Sequence, residues 1–355
     1  MADFHRFNLI LVSVVTIISA ILVATSLYLD KSAGGNMTRL GGYSENDYGW
    51  NKPQHAYAKP LYQSNKGNYH EHSDLVVLGD SFSGEIPTVN WVNYFVDRTG
   101  VSTQVFSFNQ GGIERIISSS VFRQTPPKYL VIESIEESIY RRFPNRNCQV
   151  SEQKLPAKQH YDTKLANDKL YQTNAFKRET YQQGLNLDNA GNYLIKAIPR
   201  ALGLNVSDVT ELALTRDDLF SSRVKDNILI YTTDIEKRNW PEDSSATTAC
   251  NLLNLQQRIE ANGYTKVVIM VIPDKLTAYS EVLANESLSQ LSIIPGLAKQ
   301  KSLNLIRLDL LLKEEVAQGT VDIYLPNDTH WSSAGYRLGA EAMIDYFNTT
   351  AQPFD

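Results

Sequence analysis

From Asn8 to Leu29 the chain reads NLILVSVVTIISAILVATSLYL, without one charged side chain. A helix packed on a soluble core keeps a polar face toward water, so a run that is apolar all round does not belong to such a core. At about 1.5 Å per residue it is long enough to cross the roughly 30 Å hydrocarbon layer of a bilayer. A cleaved signal peptide has a shorter apolar region, usually about 7 to 15 residues, and no clear Ala-x-Ala site follows this one. The run reads as an uncleaved transmembrane signal anchor (8–29) behind a short cytoplasmic tail (1–7). Arg6 and Lys31 on its flanks balance, so charge does not set the orientation. The short tail and the large body after the anchor fit a single-pass protein with its body outside the cytoplasm.

That body has to fold by itself, and its composition allows it: 42% of the 355 residues are hydrophobic and 21% charged, enough for a substantial core. A net charge of -5 offers no basic field for nucleic acid. Residues 30–70 are rich in Gly, Asn, Ser and Tyr without periodicity and read as a linker. Beyond them come short apolar runs: 75–78, 103–108, 129–132, 227–231, 266–272 and 303–308. Between several lie helical patterns, such as TVNWVNYFVDRTG and NLLNLQQRIEANG, the latter ending on Gly263 as a C-cap. Strands alternating with helices predict an α/β fold, a three-layer, doubly wound parallel sheet. The polar stretch of about 141–249 breaks this rhythm and reads as an inserted lobe, with helical candidates NYLIKAIPRALGL and DVTELALTRDDLFSS. Cys148 and Cys250 are the only cysteines; spacing leaves open whether they pair.

Two places carry chemistry. The run LVVL at 75–78 stops at Gly79-Asp80-Ser81, a turn at a strand end, where a doubly wound sheet places its ligands. Of six histidines, only His330, in YLPNDTHWSSAGY, has a carboxylate placed to orient it. In an extended segment Asp328 and His330 project on the same side, so the pair can serve as base and orienting acid for a serine nucleophile. Each signal alone is usually a turn or a surface loop; one ends the first strand and the other precedes the last helix, positions that can meet at one sheet edge. His70 and His72 have a His-x-His spacing that metals use, but with no third distant partner no metal is assigned. Glu133 and Glu136 read as a solvated helical face or as an acid–base pair.

GDSFS at 79–83 resembles the first block of the SGNH (GDSL) hydrolase superfamily, and DTHW at 328–331 resembles the last block of its alginate O-acetyltransferase-like branch. NQGG at 109–112, IESIEES at 132–138 and PDKLTAY at 273–279 agree with that branch. The resemblance implies an SGNH/flavodoxin-like catalytic domain over 71–355. It implies Ser81 as nucleophile, His330 as base and Asp328 as its partner, with the N–H groups of Ser81 and of Gly111 or Gly112 facing an oxyanion. Asn109, Lys275, Tyr279 and Trp331 are the implied substrate-binding residues; packing is the plain alternative for Trp331 and Tyr279, and solvation for Lys275. The superfamily's Gly-x-Asn-Asp block is replaced here by a segment carrying Glu133, Glu136 and Glu137, and its Asp-x-x-His ending by Asp-x-His. These differences point away from a free esterase and toward the branch in which an acetyl group moves from Ser to a hydroxyl of an exopolysaccharide or cell-wall glycan. No cofactor is implied. A multi-pass membrane O-acyltransferase is the implied donor, and the periplasmic side of the inner membrane the implied place. An acetyl esterase with the same triad and a non-catalytic glycan-binding assembly subunit are the alternatives.

Overall fold

The computed structural model describes residues 2–29, 34–65, 67–110, 112–143, 171–177, 185–204 and 206–349. Its strands in chain order are β1 (Gln54–Ala56), β2 (Gln63–Asn65), β3 (Leu75–Gly79), β4 (Thr103–Ser107), β5 (Tyr129–Ile135), β6 (Asn174–Phe176), β7 (Val209–Ala213), β8 (Asn227–Tyr231), β9 (Lys266–Ile272) and β10 (Leu305–Ile306). Six form one sheet in the order β10-β9-β5-β3-β4-β2, every pairing parallel. The strand order reverses at β3, whose neighbours are β4 and β5, so the turn after Gly79 opens at a switch point.

Strand side chains alternate between faces, and the core divides accordingly. Leu75, Val77, Val105, Val131, Val268 and Met270 point to one side, under the helices Trp91–Thr99, Leu308–Ala317 and Ser333–Thr349. Val76, Leu78, Phe106, Leu130, Ile132 and Ile269 point to the other, under the helix Ser244–Glu260 and shorter helices after β4 and β5. Burial on both faces is why these strands read as unbroken apolar runs.

Three expectations fail. The supposed linker packs onto the domain: the helix Asn36–Gly41 buries Met37 completely, Tyr57 and Tyr62 enter the core, and β2 is the edge strand beside β4. The run at 227–231 is not a strand of the main sheet, because β8 pairs antiparallel with β7, the segment expected to be helical. β7 is extended because the β8 ladder satisfies its backbone, with Glu211 accepting hydrogen bonds from Tyr48 and Asn227. The stretch expected as a lobe contains the helix Leu187–Ala201, and its Leu214, Leu219, Phe220, Ile228 and Ile230 join the main core. Cys250 is disulfide-bonded; Cys148 lies outside the described residues. The helix Ala2–Tyr28 is apolar enough to cross a membrane.

Candidate active site

Gly79 ends β3 with its Cα against the interior: a Cβ there would lie 2.5 Å from Glu133 Oε2 and 2.6 Å from Ser83 Oγ. Only glycine permits that approach. Asp80 caps the short helix Ser81–Gly84: its Oδ1 accepts from Phe82 N (3.3 Å), and its Oδ2 from Ile135 N (2.8 Å) and Arg142 Nη1 (2.7 Å). Asp80 thus ties the turn to the end of β5. Glu133, fully buried, accepts from Asp80 N (3.1 Å) and Ser83 Oγ (2.5 Å). Burial, with the adjacent Asp80 charge, raises its pKa well above the usual carboxylate value and so favours its neutral form; Glu133 is a buried strut under the turn. Neither the solvated face nor the acid–base pair with Glu136 describes it.

Ser81, first residue of that helix, faces a cavity of about 240 Å³ whose walls include His330, Lys275, Asp234 and Asp274. The two segments read from sequence therefore meet. His330 Nδ1 donates to Asp328 Oδ1 (2.7 Å), and the same oxygen accepts the His330 N–H (2.9 Å). With Nδ1 so engaged, Nε2 is left toward the cavity. Burial alone would push the imidazole pKa down, but the Asp328 hydrogen bond and charge, aided by Glu85 and Asp80, raise it above 6.5. Asp328 is held below its usual value against the cost of burial by His330 and by the N–H of Asn36. Nε2 lies 3.4 Å from Glu85 Oε2, and the Ser81 hydroxyl makes no hydrogen bond to any described residue. A carboxylate thus stands beside the nitrogen that a base would use.

The loop carrying Asp328 and His330 is pinned from two sides. Leu325 N donates to His330 O (3.1 Å), closing the loop. Lys275, 2% exposed, places its ammonium on the carbonyls of Leu325 (2.8 Å), Pro326 (2.9 Å) and Asp328 (3.3 Å). Burial pushes its pKa down to about 7, while three acceptors favour the charged form, since a neutral amine has only two N–H groups to give. From the other side Asn36 N donates to Asp328 Oδ2 (2.9 Å), the Asn36 side chain exchanges hydrogen bonds with Thr329, and Met37 N donates to Asn327 O (3.0 Å). Glu45 accepts from Gly35 N and Asn327 Nδ2. Asn36 and Glu45 were invisible to sequence reasoning; the one hint was Gly34-Gly35-Asn36, small residues suited to close approach.

Several expected binding residues have other work. Trp331 is 1% exposed and packs edge-on against Phe82, Tyr324 and Tyr336, so it offers no face to a sugar. Tyr279 is fully buried, stacked on Phe220, and its hydroxyl accepts from Tyr324 N. Lys275 borders the cavity but its nitrogen is committed to the loop. Asn109 and Gly112 follow β4 and do not line the cavity; Gly111 lies outside the described residues.

Glu137, Asp234 and Asp274 also line the cavity. Lys237, fully buried, is paired with Glu136 (3.2 Å) and Asp274. Burial works against its charge, but Asp274, Glu136 and Asp234 together keep its pKa raised. Burial pushes Asp274 up to about 7 and Asp234 well above its usual value. No group of metal-binding geometry occurs among the described residues.

Residues 225–354 match the family model of the SGNH hydrolase-like domain of acetyltransferase AlgX. Over that region the chain is similar to the SGNH-like domain of the AlgX branch. No curated protein and no solved structure matches it. The AlgX-type region runs from β8 through β9, Asp274, Lys275 and the Asp328–His330 loop to the last helix, and supports a polysaccharide-acetyltransferase family role. Ser81 and Asn36 reach its cavity from outside that region.

Proposed function

We propose that this protein is an O-acetyltransferase that passes an acetyl group through Ser81 to a hydroxyl of an exopolysaccharide or cell-wall glycan. The observation that carries this is the shared cavity of Ser81 and the Asp328–His330 pair. In the first half-reaction Ser81 Oγ attacks the acetyl carbonyl carbon of the donor while His330 Nε2 takes its proton, then returns that proton to the departing donor oxygen. In the second, Nε2 takes the proton of an acceptor hydroxyl whose oxygen attacks the acetyl carbon, and Ser81 leaves with the proton restored. The Ser81 N–H, at the start of its helix without an intrahelical partner, is the oxyanion donor this geometry favours.

The cavity wall favours a hydroxyl-bearing ligand. Asp234, Asp274 and Glu137 line it together with Met37, Leu40 and Tyr231, and the ammonium of Lys275, also at its wall, is held by backbone carbonyls. Carboxyl and carboxylate groups alike hydrogen-bond sugar hydroxyls. On this reading the body lies in the periplasm, anchored in the inner membrane by the N-terminal helix, and a multi-pass membrane O-acyltransferase supplies acetyl groups.

The esterase alternative shares every residue named. The full chain in detergent, given a simple acetyl ester and a glycan oligosaccharide, separates the two. Acetylated oligosaccharide supports transfer; acetate release at an unchanged rate with unmodified oligosaccharide overturns it.

A further inference from the structure

Residues 4–21 of the N-terminal helix contain no buried residue; from Leu22 the helix begins to be covered, and Ser26 and Leu29 are 4% and 5% exposed. The bare part is about 27 Å long, close to the hydrocarbon thickness of a bilayer. What covers the remainder is the helix Leu187–Ala201. Asn186 N donates to Ser26 Oγ (2.8 Å), and Gly191 sits against Leu22.

This second helix has two unlike sides. Lys196 Nζ donates to Leu40 O (2.6 Å), Arg200 to Gly41 O and Gly42 O (2.8 Å each), and Asn192 to Arg39 O (2.8 Å), gripping the C-terminal carbonyls of the helix Asn36–Gly41, where cations are favoured. Ile195, Ile198 and Leu202, spaced i, i+3 and i+7 on one stripe, are 71%, 57% and 74% exposed. Such a stripe is out of place in water. The helix that carries it meets the first helix at Leu22 and Ser26, where the first helix passes from bare to covered.

We propose that the helix Leu187–Ala201 is a second membrane element, lying in the bilayer interface beside the crossing helix with Ile195, Ile198 and Leu202 among the upper acyl chains. An apolar stripe opposed to a cationic side is the profile of an interfacial helix. The same helix holds the 36–41 helix, whose Asn36 orients Asp328. The membrane seat therefore bears, through the 36–41 helix, on the position of the Asp328–His330 loop. The inference rests on the N-terminal helix crossing the bilayer.

The test uses the full chain in vesicles of phosphatidylcholine and phosphatidylglycerol, with Ile195→Cys, Ile198→Cys or Ile17→Cys labelled by nitrobenzoxadiazole under non-reducing conditions. Quenching is measured with lipids carrying a doxyl group near the headgroup, with lipids carrying it near the chain end, and with aqueous iodide. The labels at 195 and 198 are expected to escape iodide and to be quenched more by the headgroup-proximal doxyl, at a depth of about 5–10 Å. The label at 17 is expected to be quenched by both lipids. Iodide quenching at 195 and 198 with lipid quenching at 17 overturns the interfacial helix and leaves the membrane span intact. Iodide quenching at 17 overturns both. Shielding at 195 that ignores doxyl lipids and fades as protein is diluted among vesicles means that a second copy covers the stripe, which also overturns the proposal.

Discussion

Replacing Glu85 by glutamine removes the charge 3.4 Å from His330 Nε2 and keeps the side chain's size. Two unit charges at that distance interact by about 1.2 kcal/mol in the dielectric of water. Glu85 is 60% exposed, and exposed pairs deliver about 0.2–1 kcal/mol. At about 1.4 kcal/mol per pKa unit, the imidazole should lose up to about 0.7 unit. The sign follows from the chemistry: the base works when neutral, His330 sits above its ordinary 6.5 partly through Glu85, and removing the carboxylate makes the imidazolium less favourable. The acidic limb of kcat/KM against pH for cleavage of an acetyl ester should therefore move to lower pH, making E85Q faster than the wild type below the optimum. Because Glu85 is exposed, the difference should shrink at high ionic strength. An acidic limb that stays in place at low salt, or moves upward, would refute the assignment of His330 as the titrating base.

Asp328→Asn should lower kcat by about 10⁴-fold, the loss seen where an orienting carboxylate becomes an amide, with far-ultraviolet circular dichroism unchanged. Lys275→Met should leave the Leu325, Pro326 and Asp328 carbonyls short of a donor; at about 1–3 kcal/mol for a buried unsatisfied acceptor, the melting temperature should fall, and kcat should drop more than KM rises because the lysine positions the loop and does not touch substrate. Glu133→Gln should fold and retain activity. Because the folded-state pKa of Glu133 is raised above its unfolded value, folding favours its protonated form, and this contribution to stability is complete below about pH 4.5 and lost as pH rises toward the folded value; melting curves across pH should show the variant losing less stability on alkalinisation than the wild type.

The central strands were legible because burial on both faces leaves no polar alternation: 75–78, 129–132 and 266–272 announce themselves. β2, Gln-Ser-Asn at the sheet edge, was not, since an edge strand facing water needs no apolar side chain. At 227–231 the apolar run is a strand, but β7, its partner, has no decisive period of its own to mark the pairing. The Ser81 turn and the Asp328–His330 pair were readable as short motifs. Their supports were not: Asn36 and Glu45 meet the 327–329 loop from about 280 to 290 residues away, and no local pattern records such a contact. Trp331 and Tyr279 looked like ligands because aromatic side chains serve both packing and stacking; only burial tells the two apart.

The central claim is that the Ser81 oxygen carries the acetyl group. Intact-mass analysis of the full chain, quenched in acid after brief exposure to an acetyl ester and followed by peptide mapping, tests it directly. The account predicts one added acetyl group on the peptide containing Ser81, absent in S81A and discharged by an oligosaccharide acceptor. An acetyl group found elsewhere while S81A keeps full transferase activity would contradict it.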